Sequence, residues 1–405
     1  MIVNKGKIEL KDIFVYLLII FAATATMSKD FLNISLYIAI PVAFIICFLS
    51  YDTIRNNKYI RILMCLYLWL CICTPLAEYM NLALDELKRV LGCFILSYSI
   101  ASLSTKPKMI PWMYLIYCVL LLFVWRYASD NIIENISFGE ERLGDARLNA
   151  NHLAYYTFYV MFCIYILGNI VHNKNISKIF QLIFICSIIF SFITAIYTAS
   201  RQILYIQIPF YFILLYHRYF IQNSYSVNTK ILIILATIGG VMMLYNQLGK
   251  EVYTKSLLKE RSSIGYSDDI RSSITSEAIE VGFEHPLLGH GPGNSLNKNI
   301  LGVITHNSFL ELLVNTGIPS VIIYTYLICF FLIRQYRRWR NSKDKTYLLF
   351  LIFGLFWFLY QILYVFYTDL WLISFFILVA THSEIYYNTH KYKSANENYT
   401  FLRKY

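Results

Sequence analysis

Residues 308–333 read SFLELLVNTGIPSVIIYTYLICFFLI, and residues 334–340 continue with RQYRRWR. The first segment carries a single charged residue, Glu311, and as a helix it is long enough to cross about 30 Å of hydrocarbon. The second segment is dominated by arginine. An apolar helix that ends in a basic cluster is typical of a membrane span whose basic end faces the cytoplasm.

The composition of the whole chain agrees with this interpretation. Of its 405 residues, 58% are hydrophobic and only 15% are charged, and the mean hydropathy is +0.53. Soluble domains usually contain about 25% charged residues. Apolar runs of membrane-crossing length recur from one end of the chain to the other. The sequence therefore predicts an all-α polytopic membrane protein with about twelve transmembrane helices.

The predicted spans follow from hydropathy alone, and their ends are set by the first charged or turn-forming residues. They lie at residues 13–28, 32–50, 60–76, 89–103, 110–128, 152–170, 179–199, 202–217, 230–247, 308–333, 346–366 and 369–387.

Lys and Arg concentrate in alternating loops, which predicts that both termini and the Arg334 cluster are cytoplasmic. Residues 1–246 then hold helices one to nine, and residues 247–307 form one long outer loop. Residues 308–390 hold helices ten to twelve, and residues 391–405 form a basic cytoplasmic tail. The net charge of +11 is explained by this topology and by anionic lipid, so we expect no nucleic-acid partner.

The first apolar run and the cysteines have ordinary explanations. Residues 13–27 follow three lysines and resemble a signal peptide, but an uncleaved first span is the better interpretation. All nine cysteines fall inside the predicted spans. We therefore expect neither a disulfide framework nor a cysteine-based metal site.

The end of the outer loop holds the first candidate for chemistry. His306 and Asn307 directly precede the span that begins at Ser308, so His306 is predicted at a helix N-terminus, at the outer boundary between water and lipid. The helix dipole disfavours an imidazolium there. A neutral imidazole is what a general base requires, although many loop histidines have no such role.

Several arginines are predicted on the same outer side. Arg201 lies at the end of a span pair, and Arg271 opens an amphipathic helix predicted over residues 270–283. Arg142 and Arg147 lie in a polar loop that ends at Asn151. The alternative explanation is snorkelling to the membrane surface for Arg201, a local ion pair for Arg271, and a solvated loop for Arg142 and Arg147. The planar guanidinium group of arginine binds phosphate oxygens in pairs. Several outer arginines and one histidine base, with no carboxylate cluster for a metal, therefore suit a substrate that carries a diphosphate.

Two short motifs carry a resemblance to a known family. Residues 286–293 read PLLGHGPG, in which Gly289 to Gly293 predict a tight turn rather than a nucleotide-binding loop. Residues 305–319 read THNSFLELLVNTGIP. Together with Ser200-Arg201, with Arg271 and with the segment NANHLA at residues 149–154, these motifs resemble the O-antigen polymerase and ligase superfamily of bacterial membrane glycosyltransferases.

The resemblance implies a fold of the GT-C type and an inverting, metal-independent transfer from an undecaprenyl-diphosphate glycan at the periplasmic face of the inner membrane. It implies His306 as the base and Arg201 and Arg271 as the diphosphate ligands. Arg142, Arg147, Asn151, His290 and Asn307 are secondary candidates. It also implies a glycan acceptor, a possible chain-length regulator as partner, and no cofactor.

Three functions stay open at this point. A polymerase would join lipid-linked repeat units, and it is the function that we favour. A ligase would transfer the glycan to lipid A–core and shares the same motifs. A flippase would explain the spans, but it would not need a long outer loop ending in His-Asn, and transporters tend to carry charges near the bilayer midplane.

Overall fold

A computed structural model describes residues 44–45, 56–118, 150–171, 174–198, 202–222, 226, 228, 231, 270–298 and 305–402. Every regular element within these ranges is a helix. Four of the described helices are long and apolar enough to cross a membrane: Lys58–Leu76, Met80–Ser104, Ser308–Ser342 and Leu370–His390. Shorter apolar helices cover Thr157–Ile170, Asn175–Ile188 and Lys345–Gln361. The chain is therefore a helical membrane protein.

The α-helices are numbered here in chain order. They are α1 (Lys58–Cys73), α2 (Met80–Ser104), α3 (Ala150–Ile170), α4 (Lys174–Thr198), α5 (Ile208–Tyr216), α6 (Ile270–Glu284), α7 (Ser295–Lys298), α8 (Ser308–Ser342), α9 (Lys345–Gln361) and α10 (Leu370–Leu402). Short 3₁₀ turns cover Thr74–Leu76 and Pro107–Met109, and π-helical turns at Ile203–Gln207 and His217–Gln222 flank α5.

The chain divides into two compact units. The first consists of residues 1–113, 273–341 and 357–405, and the second of residues 114–272 and 342–356. The first unit holds α1, α2, α8 and α10, and it contains the loop end that carries both sequence motifs.

Aromatic side chains form much of the core of the first unit. Tyr59 on α1 packs its ring against Phe330 and Phe331 on α8, with centroid distances of 5.4 and 6.2 Å. Trp357 stacks on Phe376 of α10 at 5.4 Å and is fully buried. Phe331 also meets Phe376 edge to face at 5.3 Å, so this group of rings packs α8 against α10.

The basic end of α8 is held by one carboxylate. Arg334 and Arg338 each donate to Oε2 of Glu384 on α10, both at 2.6 Å. The hydroxyl of Tyr59 donates to the other oxygen of Glu384 at 3.2 Å. The arginine cluster therefore joins α8 to α10 in addition to marking the end of the span.

The second unit is built on α3, α4 and α5. Phe162 on α3 stacks on Phe353 at 4.5 Å, and Phe158 packs on Phe210 at 4.7 Å. Arg218 donates to Oδ1 of Asn169 at 2.7 Å. This unit holds the candidate residue Asn151 in the first turn of α3.

Hydropathy located four of the twelve predicted spans as membrane-length helices in the described residues, but not their ends. The spans predicted at 60–76, 89–103, 308–333 and 369–387 coincide with the four membrane-length helices. However, α2 begins at Met80, α8 continues to Ser342, and α10 continues to Leu402. Hydropathy marks where a helix is apolar, whereas charged residues with good helix propensity extend the same helix into water. The spans predicted at 13–28 and 230–247 and most of the one at 32–50 lie outside the described residues.

Candidate functional site

A break in α8 organises the site. Gly317 has φ 76° and ψ −175°, so the helix is interrupted there, and Pro319 follows two residues later. A break of this kind leaves the carbonyls of the preceding turn without their usual N–H partners. The carbonyl of Asn315 has no possible helical partner, because the residue four positions further along is a proline without an N–H.

The glycine-rich turn supplies the missing partners. His290 N–H donates to the carbonyl of Val314 at 2.9 Å, and Gly291 N–H donates to that of Asn315 at 2.8 Å. Ile318 N–H donates in the opposite direction, to the carbonyl of Pro286 at 2.7 Å. The indole N–H of Trp69 donates to the carbonyl of Thr316 at 2.9 Å. The two sequence motifs therefore form one structural unit, because the turn supplies hydrogen-bond partners to the backbone groups that the helix break leaves open.

Close approach of the two backbones explains two of the glycines. Gly289 has φ +66°, and a Cβ there would lie 2.4 Å from the backbone of Asn315 and Thr316. Gly317 has φ +76°, and a Cβ there would lie 2.5 Å from the carbonyl of Leu287. Each glycine faces the other segment's backbone, so neither position has room for a side chain.

Glu311 ties the loop to the start of α8. Its carboxylate is buried and accepts from Thr305, both from the backbone N–H at 3.0 Å and from the hydroxyl at 2.8 Å. The hydroxyl of Ser295 and the amide of Asn315 donate to its other oxygen. Asn315 in turn accepts from the N–H of Ser295 at 2.8 Å. Both oxygens of this buried side chain are thus hydrogen-bonded, as buried polar groups require.

His306 lies directly between the residues that this network fixes. It is half-buried and adopts φ 54°, in the left-handed region that non-glycine residues seldom occupy. Its ring centroid lies 6.5 Å from that of Tyr364. Backbone strain of this kind costs about 1–3 kcal/mol and concentrates at functional sites. The prediction that His306 stands at the N-terminus of a membrane-length helix is confirmed.

Asn307 has a structural explanation. Its side-chain oxygen accepts from the N–H groups of Phe309 at 2.9 Å and Leu310 at 3.2 Å, which makes it the N-cap of α8. An asparagine immediately before an apolar run is a recognised start signal for a helix, so sequence reasoning had the means to find this cap.

His290 is more deeply placed than a residue in a surface turn. It is 2% exposed, and its Nδ1 lies 2.7 Å from Oε1 of Glu78, which precedes α2. Lys298 lies 2.6 Å from the other oxygen of Glu78. Hydrogen bonds from Lys298 and then His290 hold the pKa of the Glu78 carboxyl below its usual value. Sequence reasoning missed Glu78 because more than 200 residues separate it from the turn.

The structure brings together only part of the predicted set. His290, His306 and Asn307 lie in one unit. The helix predicted over residues 270–283 is present as α6, and it buries Ile274 and Ala278 of the predicted apolar stripe. Arg271 lies in the first turn of α6 and Asn151 in that of α3, but the side chains of both are outside the described part. Arg142, Arg147 and Arg201 lie outside the described residues altogether.

The fold and this site define a helical membrane protein in which a loop end and a broken membrane-length helix share one hydrogen-bond network. No protein-family model matches the chain, and no curated protein matches it in sequence.

Proposed function

We propose that this chain is an inverting membrane glycosyltransferase that polymerises undecaprenyl-diphosphate-linked oligosaccharide repeat units. The observation that carries the proposal is the placement of His306. A half-exposed histidine in a strained conformation stands at the start of a membrane-length helix, and a buried carboxylate network fixes the residue before it and the helix after it. Such fixed geometry is what a general base needs.

The positive-inside rule supports an outer position for this histidine. The basic end of α8, at Arg334 and Arg338, is assigned to the cytoplasm by the positive-inside rule. About 26 residues of helix separate it from Ser308, which corresponds to roughly 40 Å at 1.5 Å per residue. His306 therefore belongs at the opposite, periplasmic boundary of an inner membrane, and both termini are cytoplasmic. A reporter fused at Ser295 would give a periplasmic signal, and a cytoplasmic signal would overturn this orientation.

The donor follows from where the site lies. Neither ATP nor nucleotide sugars are supplied outside the cytoplasmic membrane, so the glycan has to arrive on a lipid. Its diphosphate leaving group would be held by Arg201 and Arg271, because the arginine fork binds phosphate oxygens in pairs. His306 removes the proton from the acceptor hydroxyl, that oxygen attacks the anomeric carbon, and undecaprenyl diphosphate leaves from the opposite face. Twelve spans in a GT-C-like arrangement complete the proposal.

The proposal is tested by replacing each arginine with lysine, which keeps the charge but removes the fork. We expect Arg201→Lys and Arg271→Lys each to lower the rate of polymer formation about 10- to 100-fold, because charge-assisted hydrogen bonds contribute about 1.5–3 kcal/mol. The measurement is release of undecaprenyl diphosphate by the full-length protein in membranes of matched expression. The control is Arg337→Lys, an exposed position in the cytoplasmic cluster, which should keep the normal rate.

The outcomes of this experiment also separate the alternatives. Normal rates in both lysine variants would contradict the proposed binding of the diphosphate by Arg201 and Arg271. Binding of the lipid-linked glycan without any release of undecaprenyl diphosphate would indicate a flippase. In a deletion strain, single-repeat caps on lipid A–core indicate a polymerase, whereas loss of all caps with lipid-linked polymer accumulating indicates a ligase.

A further inference from the structure

Three groups that bind metals lie together beside the glycine-rich turn. They are the carboxylate of Glu78, between α1 and α2, the imidazole of His285, directly after α6, and the imidazole of His290. One ligand atom from each lies within 4.8 Å of the other two. The rings of His285 and His290 meet edge to face, with centroids 4.6 Å apart. All three residues belong to the first unit.

The side chains of His290 and Glu78 are already in contact. Nδ1 of His290 lies 2.7 Å from Oε1 of Glu78, and Nε2 of His290 lies 3.2 Å from the carbonyl of Val281. With Nε2 donating to that carbonyl, Nδ1 is the ring nitrogen that would bind a metal ion next to the Glu78 oxygen.

We propose that Glu78, His285 and His290 bind a divalent cation of the zinc type. Two imidazoles and one carboxylate are a usual donor set for Zn²⁺, with ligand distances of about 2.0–2.2 Å and the fourth position open to water. Tetrahedral ligands at such distances lie roughly 3.3–3.5 Å from one another. Glu78 and His285 are exposed, so their side chains have room to rotate towards these spacings, which requires Oε1 of Glu78 to move away from its present 2.7 Å contact with Nδ1 of His290.

The groups around the three ligands fit the same assignment. A metal-binding histidine usually donates its second ring N–H to a carbonyl or a carboxylate. His290 does so to Val281, and the carboxylate of Glu284 lies 3.7 Å from the same nitrogen. Lys298 holds Oε2 of Glu78 at 2.6 Å, which leaves Oε1 for the cation. With two imidazoles in three ligands, the site should favour Zn²⁺ over Mg²⁺, which prefers oxygen ligands.

A cation here would have a structural effect. Glu78 N–H already donates to the carbonyl of His290 at 3.2 Å, so the segment between α1 and α2 touches the glycine-rich turn through its backbone. The metal would add a second link between the same two segments. The transfer reaction proposed above takes no step through it, so the two proposals stand or fall separately.

Direct binding of Zn²⁺ tests the site. The full chain, carrying a tag without histidines, would be purified in detergent, stripped with a chelator, and titrated with Zn²⁺ alone or Mg²⁺ alone. We expect one Zn²⁺ per chain and no comparable uptake of Mg²⁺. His285→Ala and Glu78→Gln should each weaken Zn²⁺ binding at least about tenfold. His390→Ala, an exposed histidine on α10, is the matched control and should bind as the unaltered protein does.

The chosen variants keep the test decisive. His285 and Glu78 are exposed, so their replacement should leave the fold intact, whereas the buried His290 is a riskier substitution. Co²⁺ in place of Zn²⁺ excludes the cysteines, because cobalt bound to thiolate shows a charge-transfer absorption that imidazole and carboxylate ligands do not give. Failure to bind Zn²⁺, equal binding by both variants, or a thiolate spectrum would each overturn the proposal.

Discussion

Replacing His306 with glycine should lower the rate of polymer formation by about 10²- to 10⁴-fold, which is the usual contribution of a general base. Glycine is the informative substitution because His306 has φ 54°. Glycine adopts that conformation without strain, so the variant should fold at least as well as the unaltered protein. Its defect would then report the missing imidazole alone. The measurement is the release of undecaprenyl diphosphate at matched membrane expression.

An alanine variant and a distant histidine complete this experiment. His306→Ala removes the imidazole too and keeps the φ of 54° that the unaltered protein already has, so it should lose activity to a similar extent. His390→Ala should leave the rate unchanged. A glycine variant that is well folded and makes polymer at the normal rate would remove the histidine from the mechanism, and the proposal would rest on the arginines alone.

The second large effect concerns folding. Gly289→Ala should prevent the protein from accumulating in its native form, because an added Cβ would meet the backbone of Asn315 and Thr316 at 2.4 Å. The left-handed φ of +66° adds about 1–2 kcal/mol to that clash. Backbone atoms cannot move aside as a flexible side chain can, so the turn has to leave the break in α8. The yield of monodisperse protein in detergent and the midpoint of thermal unfolding measure the effect.

Gly168→Ala is the matched control for that substitution. Gly168 lies inside α3, and a Cβ there would meet its nearest neighbour, Cβ of Phe180, at an ordinary 3.5 Å. Alanine is favoured over glycine in a helix by about 1 kcal/mol. The control should therefore unfold at the same temperature or slightly above. Normal yield and stability of Gly289→Ala would contradict the close packing of the two motifs.

The parts of the fold that depend on local patterns were predictable from the sequence. Apolar runs located the described membrane-length helices, and the apolar stripe of residues 270–283 located α6. The start of α8 just after His306 also followed from a local change, from polar to apolar residues. Helix ends were less predictable, since Arg334 to Arg340 continue α8 beyond the apolar run.

The contacts that build the site were not predictable, because they join distant parts of the chain. The sequence marked Gly289 as a turn and Gly317 as part of a motif, but it gave no sign that the two meet. Glu78 and His290 are 212 residues apart and belong to no shared pattern. Glu311 looked like a lone charge in an apolar span, and only the folded chain surrounds it with hydroxyl and amide donors.

The break in α8 has a consequence for which parts of the chain can move independently. Opening the turn at residues 286–291 would break three backbone hydrogen bonds, and each buried backbone group left without a partner costs about 1–3 kcal/mol. The turn at residues 286–291 and the start of α8 are therefore expected to move together as one rigid segment. Under the proposed function, His306 would therefore hold its position beside this turn while substrate enters and product leaves.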